Sequence, residues 1–241
     1  MDASGIDAQL LEITGGPGPN TIAEVLGLMQ QIDTLLPPGD GLKWFNLLYM
    51  QVTQKVESSP PPAGWEDAAW LTRLDVVFAG FYMAAISNWL TGAAEVPGSW
   101  QVLFEARFRP GIERIQFALA GMNAHINHDL ALALLQTDAE LKLIPGKASP
   151  EHDDYERVNG ILEAVLPNAL EFLATGILGE LSQDTGKIGR LLAIWNVRAA
   201  RDLAWDFADH LRALPEVAHN AALTAQDQMT GALGRSLLLA P

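Results

Sequence analysis

Apolar residues recur along this chain at the three- and four-residue spacing that places them on one face of an α-helix. No stretch alternates apolar and polar residues over the length of a strand with β-branched residues, so the pattern predicts no sheet. We therefore expect an all-α fold, with about seven helices in a single bundle-like domain around a buried polar cluster. The predicted helical stretches are 21–36, 41–57, 65–90, 110–136, 149–181, 187–214 and 216–239, with a shorter one at 100–108.

Cap and breaker residues predict where several of these helices begin, bend or end. Thr21 and Glu24 have the spacing of a capping box at the start of the first long helix. Pro167 lies inside the stretch 149–181 and predicts a kink there. Residues 1–20 end in a run of glycines and prolines, which predicts a flexible N-terminal segment. The expected organisation is this segment followed by one helical domain over residues 21–241.

Polar side chains interrupt an otherwise apolar helix at residues 121–130, which read GMNAHINHDL. His125 and Asp129 are four residues apart, so they share one face of that helix. The same face continues through Ala118 and Met122, which indicates that it points into the core. Burying an imidazole and a carboxylate without partners is costly, so we expect other helices to supply partners. The motif therefore predicts a buried polar site.

Two further carboxylates, Asp75 and Asp154, fall on apolar helix faces. Asp75 aligns with Ala79 and is expected either to join the site or to pair with an arginine such as Arg73. Asp154 lies in the first turn of its helix, next to His152 in sequence. Acids in a first turn also complement the helix dipole, so an inward and an outward position both remain open for Asp154.

Arg198 and Asp202 are one turn apart and share a helix face with Trp195 and Trp205. An arginine and an aspartate at this spacing commonly form a surface pair. The two tryptophans favour a buried location instead, where the arginine would fix a carboxylate or hold an anionic group of a substrate. The catalytic candidates are therefore His125, Asp129, Asp75, Arg198 and Asp202.

The charges of these candidates do not balance if the side chains meet in one core, because three carboxylates would face one or two arginines. A raised carboxylate pKa, a protonated histidine or a bound cation would compensate. An imidazole and a carboxylate one turn apart suit one divalent metal, Zn²⁺ or Fe²⁺. The predicted metal ligands are His125, Asp129, Asp75 and Asp154.

Composition and charge narrow the function classes. The net charge is −14, from 15 Lys+Arg and 29 Asp+Glu, which argues against binding to nucleic acid or anionic lipid. There is no cysteine, so disulfides, thiolate metal sites and cysteine nucleophiles are excluded. The chain shows no uninterrupted apolar run of about 18 residues, no signal-peptide pattern and no glycine-rich phosphate loop. We expect a cytoplasmic protein with no membrane span and no nucleotide cofactor.

Several segments together resemble a bacterial family named domain of unknown function 5995. They are DGLKWFNLLYMQVTQKV (40–56), LTRLDVVFAGFY (71–82), GMNAHINHDLALAL (121–134) and WNVRAARDLAWDFA (195–208). The likeness covers most of residues 40–212, and its central motif is specific. The resemblance implies an all-helical fold and brings no established activity.

A weaker likeness links the H-x-x-x-D pair to the helical zinc phospholipase C and zinc nuclease families. That resemblance implies His125, Asp129 and Asp75 as zinc ligands. Those families carry two or three zinc ions, further histidines and an N-terminal tryptophan ligand, whereas this chain begins with Met1 and has five histidines. The likeness therefore implies one metal, or at most two.

The function predicted from these observations is a soluble helical enzyme with a buried His/Asp site, acting on a small hydrophobic substrate by hydrolysis or by a lyase or cyclisation reaction. A metal would lower the pKa of a bound water. In a metal-free form, His125 would act as general base, oriented by a carboxylate. The alternative is a non-catalytic helical module that binds a hydrophobic small molecule or a protein partner, with a purely structural polar cluster.

Overall fold

A computed structural model describes residues 3–175 and 196–239, and every regular element in these two ranges is helical. The all-α prediction is therefore confirmed. The described ranges contain nine helices when residues 114–141 are counted as one continuous helix, against about seven expected. Their bounds are α1 Ala3–Thr14, α2 Ile22–Leu35, α3 Gly41–Ser58, α4 Ala68–Thr91, α5 Gly98–Ala106, α6 Arg114–Ala124, a π-helical segment His125–Asp129, α7 Leu130–Leu141, α8 Pro150–Thr175, α9 Val197–Ala213 and α10 Glu216–Leu239.

The first twenty residues differ from the expected flexible segment, because Ala3–Thr14 form helix α1. Ile6 and Leu10 are spaced four residues apart and are both buried in the core. Thr14 follows at the same spacing, and its hydroxyl donates to the carbonyl of Leu10. The glycines and prolines that predicted flexibility begin only after this helix ends.

Helix ends agree with the predicted caps at α2 and differ modestly elsewhere. The backbone N–H of Glu24 donates to the hydroxyl of Thr21 at 3.2 Å, but the Glu24 carboxylate accepts from the backbone N–H of Asn20, so only half of the capping box is formed. The helix bearing the motif begins at Arg114 rather than at residue 110. Pro167 lies inside the continuous helix α8. The predicted helical start at 187, together with Trp195, lies outside the described residues.

Helices α3 and α6 pack closely because glycine removes a side chain where they meet. A Cβ added to Gly121 would lie 2.3 Å from the ring of Phe45, and one added to Gly41 would lie 2.4 Å from the ring of Phe117. Both phenylalanines are buried. The two glycines therefore let aromatic side chains of one helix reach the backbone of the other, and they fix how close the motif helix lies to α3.

Helix α4 is, within the described ranges, the one helix long and apolar enough to cross a bilayer. The expectation of no membrane span rested on uninterrupted apolar runs, and Arg73 and Asp75 interrupt this one. Of its apolar window, 61% is buried inside the fold, including Trp70 and Leu74. The core helix of a folded domain passes the same length and composition test.

Replacing Gly121 with alanine tests the close approach of α3 and α6. We expect G121A to lower the free energy of unfolding by about 1–3 kcal/mol, because the new methyl group overlaps the ring of Phe45. Gly27→Ala is the matched control, since Gly27 is exposed within α2 and has open space around it. This control should gain about 0.5–1 kcal/mol from helix propensity. Urea unfolding measures both, and equal effects would contradict the packing argument.

Candidate functional site

The centre of the motif helix is wound as a π-helix over His125–Asp129. The backbone N–H of Leu130 bonds to the carbonyl of His125, a step of five residues rather than four. Single π-helical turns of this kind occur frequently at functional sites. His125, His128 and Asp129 are all buried there. The predicted burial of the polar motif is therefore observed, in a backbone form that the periodicity did not predict.

Asp129 is the centre of a hydrogen-bonded cluster that we call the Asp129 cluster, formed by His125, His128, Trp100 and Asp129. Oδ2 of Asp129 accepts from Nδ1 of His125 at 3.0 Å and from Nε1 of Trp100 at 2.9 Å. Oδ1 accepts from Nδ1 of His128 at 2.9 Å. Burial alone would raise the pKa of Asp129, but the hydrogen bonds from the two histidines outweigh it and lower that pKa. Asp129 is therefore a buried carboxylate with its negative charge retained.

His128 is the histidine of the cluster whose pKa lies above its ordinary value. Burial lowers its pKa, but the hydrogen bond and charge of Asp129, together with the charge of Asp227, raise the pKa of His128 above its ordinary value. Nε2 of His128 lies 3.9 Å from Asp227. Asp227 in turn accepts from the backbone N–H groups of Gly98 and Ser99 at the start of α5. His128 and Asp227 therefore tie the cluster to α5 and α10.

His125 has the opposite protonation preference. Burial lowers its pKa more than the hydrogen bond with Asp129 raises it, so the ring is neutral near pH 7. Because Nδ1 donates to Asp129, the unprotonated nitrogen is Nε2. Nε2 is buried and has no hydrogen-bond partner among the described residues. The ring is stacked on Phe78, with centroids 3.5 Å apart, and meets Tyr49 edge-on at 4.5 Å.

A narrow, mostly apolar cavity of about 50 Å³ lies beside His125. Four polar or titratable side chains, Tyr49, Asp75, His125 and Arg201, share its wall with Thr53. The remaining wall is apolar and comprises Val52, Val56, Leu71, Leu74, Phe78, Met122, Ile126, Leu130, Val158 and Leu162. Apolar walls with a few convergent polar groups are typical of small-molecule sites.

Asp75 lies on the cavity wall. This is the first of the two positions expected for it, in the site rather than paired with Arg73. Burial raises its pKa to about 7, although the charge of Arg201 opposes this and that of Glu57 adds to it. Arg73 does not pair with Asp75, because its Nε donates to Glu140. Asp75 is therefore close to half protonated at neutral pH, which suits a group that donates a proton.

Arg201 is the cavity residue that the sequence reasoning missed. Its Nε donates to Oδ1 of Asn159 at 2.7 Å, and Nη2 donates to the carbonyl of Tyr155 at 3.0 Å. The guanidinium lies 4.0 Å from the centre of the Tyr155 ring, whose hydroxyl donates to the carbonyl of Arg201. The signal was available, because Arg201 shares its helix face with the buried residues Val197 and Ala204.

Arg198 and Asp202 differ from the prediction and lie on the surface of α9. The guanidinium of Arg198 pairs with Glu163 at 2.7 Å and with Glu156 at 3.1 Å. Asp202 is largely exposed beside Glu156. Its slight burial and the charge of Glu156 both raise its pKa. Trp205, which was expected on the same face, is buried. The face of α9 that is buried is therefore displaced by one residue from the predicted one, to Val197 and Arg201 in place of Arg198 and Asp202.

Asp154 is buried, but in a capping role apart from the cavity wall. It accepts from the backbone N–H groups of Glu66 at 3.0 Å and Asp67 at 2.7 Å, and it pairs with Arg157. These contacts fix the loop before α4 to α8. His152 contacts the ring of Trp205 edge-on instead of joining the cluster. The predicted convergence of Asp154 with His125 and Asp129 is therefore absent from the described structure.

The predicted metal ligands do not form a preassembled set. Across residues 3–175 and 196–239, no three His, Asp or Glu side chains are grouped so that they could hold a metal ion. Both oxygens of Asp129 accept hydrogen bonds, which leaves Nε2 of His125 and the carboxyl of Asp75 as donor atoms on the cavity wall. The single divalent metal stays a prediction that these contacts do not test.

The fold and site define an all-α protein with a buried Asp–His cluster beside an apolar cavity. A family model described as a family of unknown function (DUF5995) matches residues 22–240. The chain belongs to this family, as the sequence motifs predicted. No curated protein and no solved structure matches the chain, so the expected likeness to zinc phospholipase C and zinc nucleases is not supported.

The raised pKa of Asp75 predicts a pH-dependent stability. Because its folded pKa, about 7, lies above its unfolded value, the stability it contributes is full below about pH 4 and is lost as the pH rises through 7. Asp75→Asn should therefore gain stability over the wild type between pH 4 and 7, by at most about 1.4 kcal/mol per pH unit.

Denaturant unfolding at closely spaced pH values measures this difference. Asp153→Asn, which neutralises an exposed carboxylate, reports the general effect of removing one negative charge. A stability difference between wild type and Asp75→Asn that stays constant over this range would show that Asp75 titrates normally.

Proposed function

We propose that this protein is an enzyme that performs acid–base chemistry on a small, largely apolar molecule bound in the cavity beside His125. In this proposal, Nε2 of His125 is the general base and the carboxyl group of Asp75 is the general acid. The observation that carries the proposal is the unpartnered, unprotonated Nε2 of a buried histidine on the same cavity wall as a carboxyl group of raised pKa.

The base is prepared by the Asp129 cluster. Asp129 fixes the tautomer of His125 through the 3.0 Å hydrogen bond to Nδ1 and stabilises the positive charge that the ring gains on accepting a proton. A buried acceptor left without a partner costs about 1–3 kcal/mol, which a purely structural histidine would avoid. Nε2 is enclosed by its neighbours and the cavity holds only about 50 Å³, so substrate binding requires side chains of the wall to move apart.

The acid and the base suit reactions in which one proton is removed and another is delivered. In an elimination, Nε2 of His125 takes a proton from carbon, the C–H electron pair forms the new double bond, and the leaving group departs with the proton of Asp75. Hydrolysis uses the same pair, with water in place of the carbon acid. The one hydroxyl of a Ser or Thr on the described wall belongs to Thr53 and donates to the carbonyl of Tyr49, so the proposal uses no covalent nucleophile.

The substrate is proposed to be slender and apolar over most of its length. Ten aliphatic, methionine or phenylalanine side chains form the wall around the five polar ones. Ring stacking of Phe78 on His125 narrows the space near the base. The family description supplies no substrate, so this class rests on the cavity alone.

His125→Gln is the direct test of the base. We expect turnover of small apolar esters, lactones and β-hydroxy carbonyl compounds, followed by mass spectrometry, to fall by about 10²–10⁴-fold in this variant. His210→Gln, which changes an exposed histidine on α9, should keep wild-type activity. A folded His125→Gln protein with full turnover would contradict the assignment of the base.

The pH dependence tests both groups together. Activity requires a neutral His125, whose pKa lies below 6.5, and a protonated Asp75, whose pKa is about 7. The profile of kcat/KM should therefore rise with pH on the acidic side and fall above about pH 7. Asp75→Asn should remove the alkaline limb along with most of the activity. A profile that keeps rising beyond pH 8 would exclude Asp75 as the acid.

Metal content distinguishes the metal-free form from the metal-assisted one. The proposal as stated expects full activity in protein treated with a chelator, with no stoichiometric zinc or iron by elemental mass spectrometry. About one metal per chain, lost in both His125→Gln and Asp75→Asn, would replace the acid–base scheme with a metal bound by these two side chains.

A further inference from the structure

We propose that Arg201 is the recognition group of the cavity, and that the natural ligand is an apolar monocarboxylate whose carboxylate binds this guanidinium while its hydrocarbon part lies along the apolar wall. The inference rests on the proposed function, because it names the substrate class of the same cavity. It is carried by the contacts and the charge of Arg201, which the acid–base chemistry itself does not use.

The guanidinium of Arg201 is buried yet held only by neutral groups. Nε bonds to the amide oxygen of Asn159, Nη2 bonds to a backbone carbonyl, and one face lies over the ring of Tyr155. Among the described residues, no carboxylate lies within ion-pair distance of it, and the hydrogen bonds of its side chain are those of Nε and Nη2. The side chain is thereby fixed in position while part of its donor capacity stays unused.

The nearby acids do not neutralise Arg201 by contact. The side-chain N–H of Asn159 donates to the carboxylate of Glu156, which is already paired with Arg198. Asp202 is exposed to solvent and acts on Arg201 only through its charge. A buried arginine without a contacting carboxylate is costly, and a bound anion would remove that cost.

Asp75 completes the site for a single negative charge. Its carboxyl and Arg201 line the same cavity and interact electrostatically, and burial keeps the carboxyl largely protonated up to about pH 7. A protonated carboxyl donates a hydrogen bond, so a ligand carboxylate can accept from both groups. The charged or titratable groups around Asp75 are Tyr49, Glu57, His125 and Arg201.

The cavity favours a monoanion over a dianion or a cation. Arg201 is the one cationic side chain on the described wall, and the buried negative charge of Asp129 lies behind His125. A phosphate monoester would bring close to two negative charges to a single arginine, against this field. The mostly aliphatic wall accounts for the rest of the ligand.

Four ligands with the same eight-carbon chain test the inference: octanoate, octanol, octyl phosphate and octylamine. We expect the wild-type protein at pH 6.5 to bind octanoate at least tenfold more tightly than the other three, measured by calorimetry. Equal affinity for octanoate and octanol would show that the cavity recognises only the hydrocarbon part of the ligand and would overturn the inference. Preference for octylamine or octyl phosphate would overturn it as well.

Substitutions on one helix locate the effect. Arg201→Gln should weaken octanoate binding by about tenfold or more, as expected for a lost charge-assisted hydrogen bond. Arg212→Gln, which alters an arginine at the far end of the same helix that pairs with Asp138 and Asp209 and is not on the cavity wall, should leave binding unchanged. Unchanged octanoate affinity in a folded Arg201→Gln protein would refute the role of Arg201.

The pH dependence in the wild type keeps the test decisive if Arg201→Gln does not fold. Octanoate affinity should fall as the pH rises from 6 to 8.5, by up to tenfold per pH unit once Asp75 ionises, and should stay level in Asp75→Asn. Octanoate binding with no turnover in any assay would remove the proposed function and keep this inference. Turnover of neutral compounds without octanoate binding would do the reverse.

Discussion

The described structure depends on one buried negative charge, the carboxylate of Asp129. Removing such a charge from water is tolerable only when its lone pairs are occupied, and Trp100, His125 and His128 donate to it from two helices. His128 continues the network toward Asp227, which caps α5 from α10. A shift of any of these elements would leave a buried charge without a donor, so the carboxylate also fixes their relative positions.

The same constraint divides the polar residues into two groups with different consequences. The members around Asp129 have satisfied hydrogen bonds, and they hold the π-helical segment in place. The members on the cavity wall have unused capacity: Nε2 of His125 has no partner, and Asp75 retains its proton far above its ordinary range. His125 belongs to both groups, since one ring nitrogen is held rigidly and the other is left unoccupied. This combination is what turns a core network into a candidate site.

Sequence periodicity predicted the fold class and the central pair, because spacing of apolar residues directly reports which helix face is buried. It placed His125 and Asp129 on the same helix face because four residues are about one helical turn. It failed at α9, where Arg198 and Arg201 differ by three positions and the choice between them depends on which neighbours α9 packs against. The N-terminal helix was missed because its short stripe of Ile6 and Leu10 precedes a glycine–proline run that dominated the interpretation.

The unbalanced charge of several carboxylates was the reason to predict a bound metal from the sequence. In the structure, each of these carboxylates has local hydrogen-bond donors, an ion pair or a raised pKa. Hydrogen bonds from Trp100, His125 and His128 hold Asp129, while backbone N–H groups and Arg157 hold Asp154. Protonation relieves the charge of Asp75. Each of these carboxylates is thus held where it lies by hydrogen-bond donors, an ion pair or its own proton. What stays uncompensated among the described contacts is a positive group, Arg201, and an unbalanced cation on an apolar wall favours a ligand that brings its own negative charge.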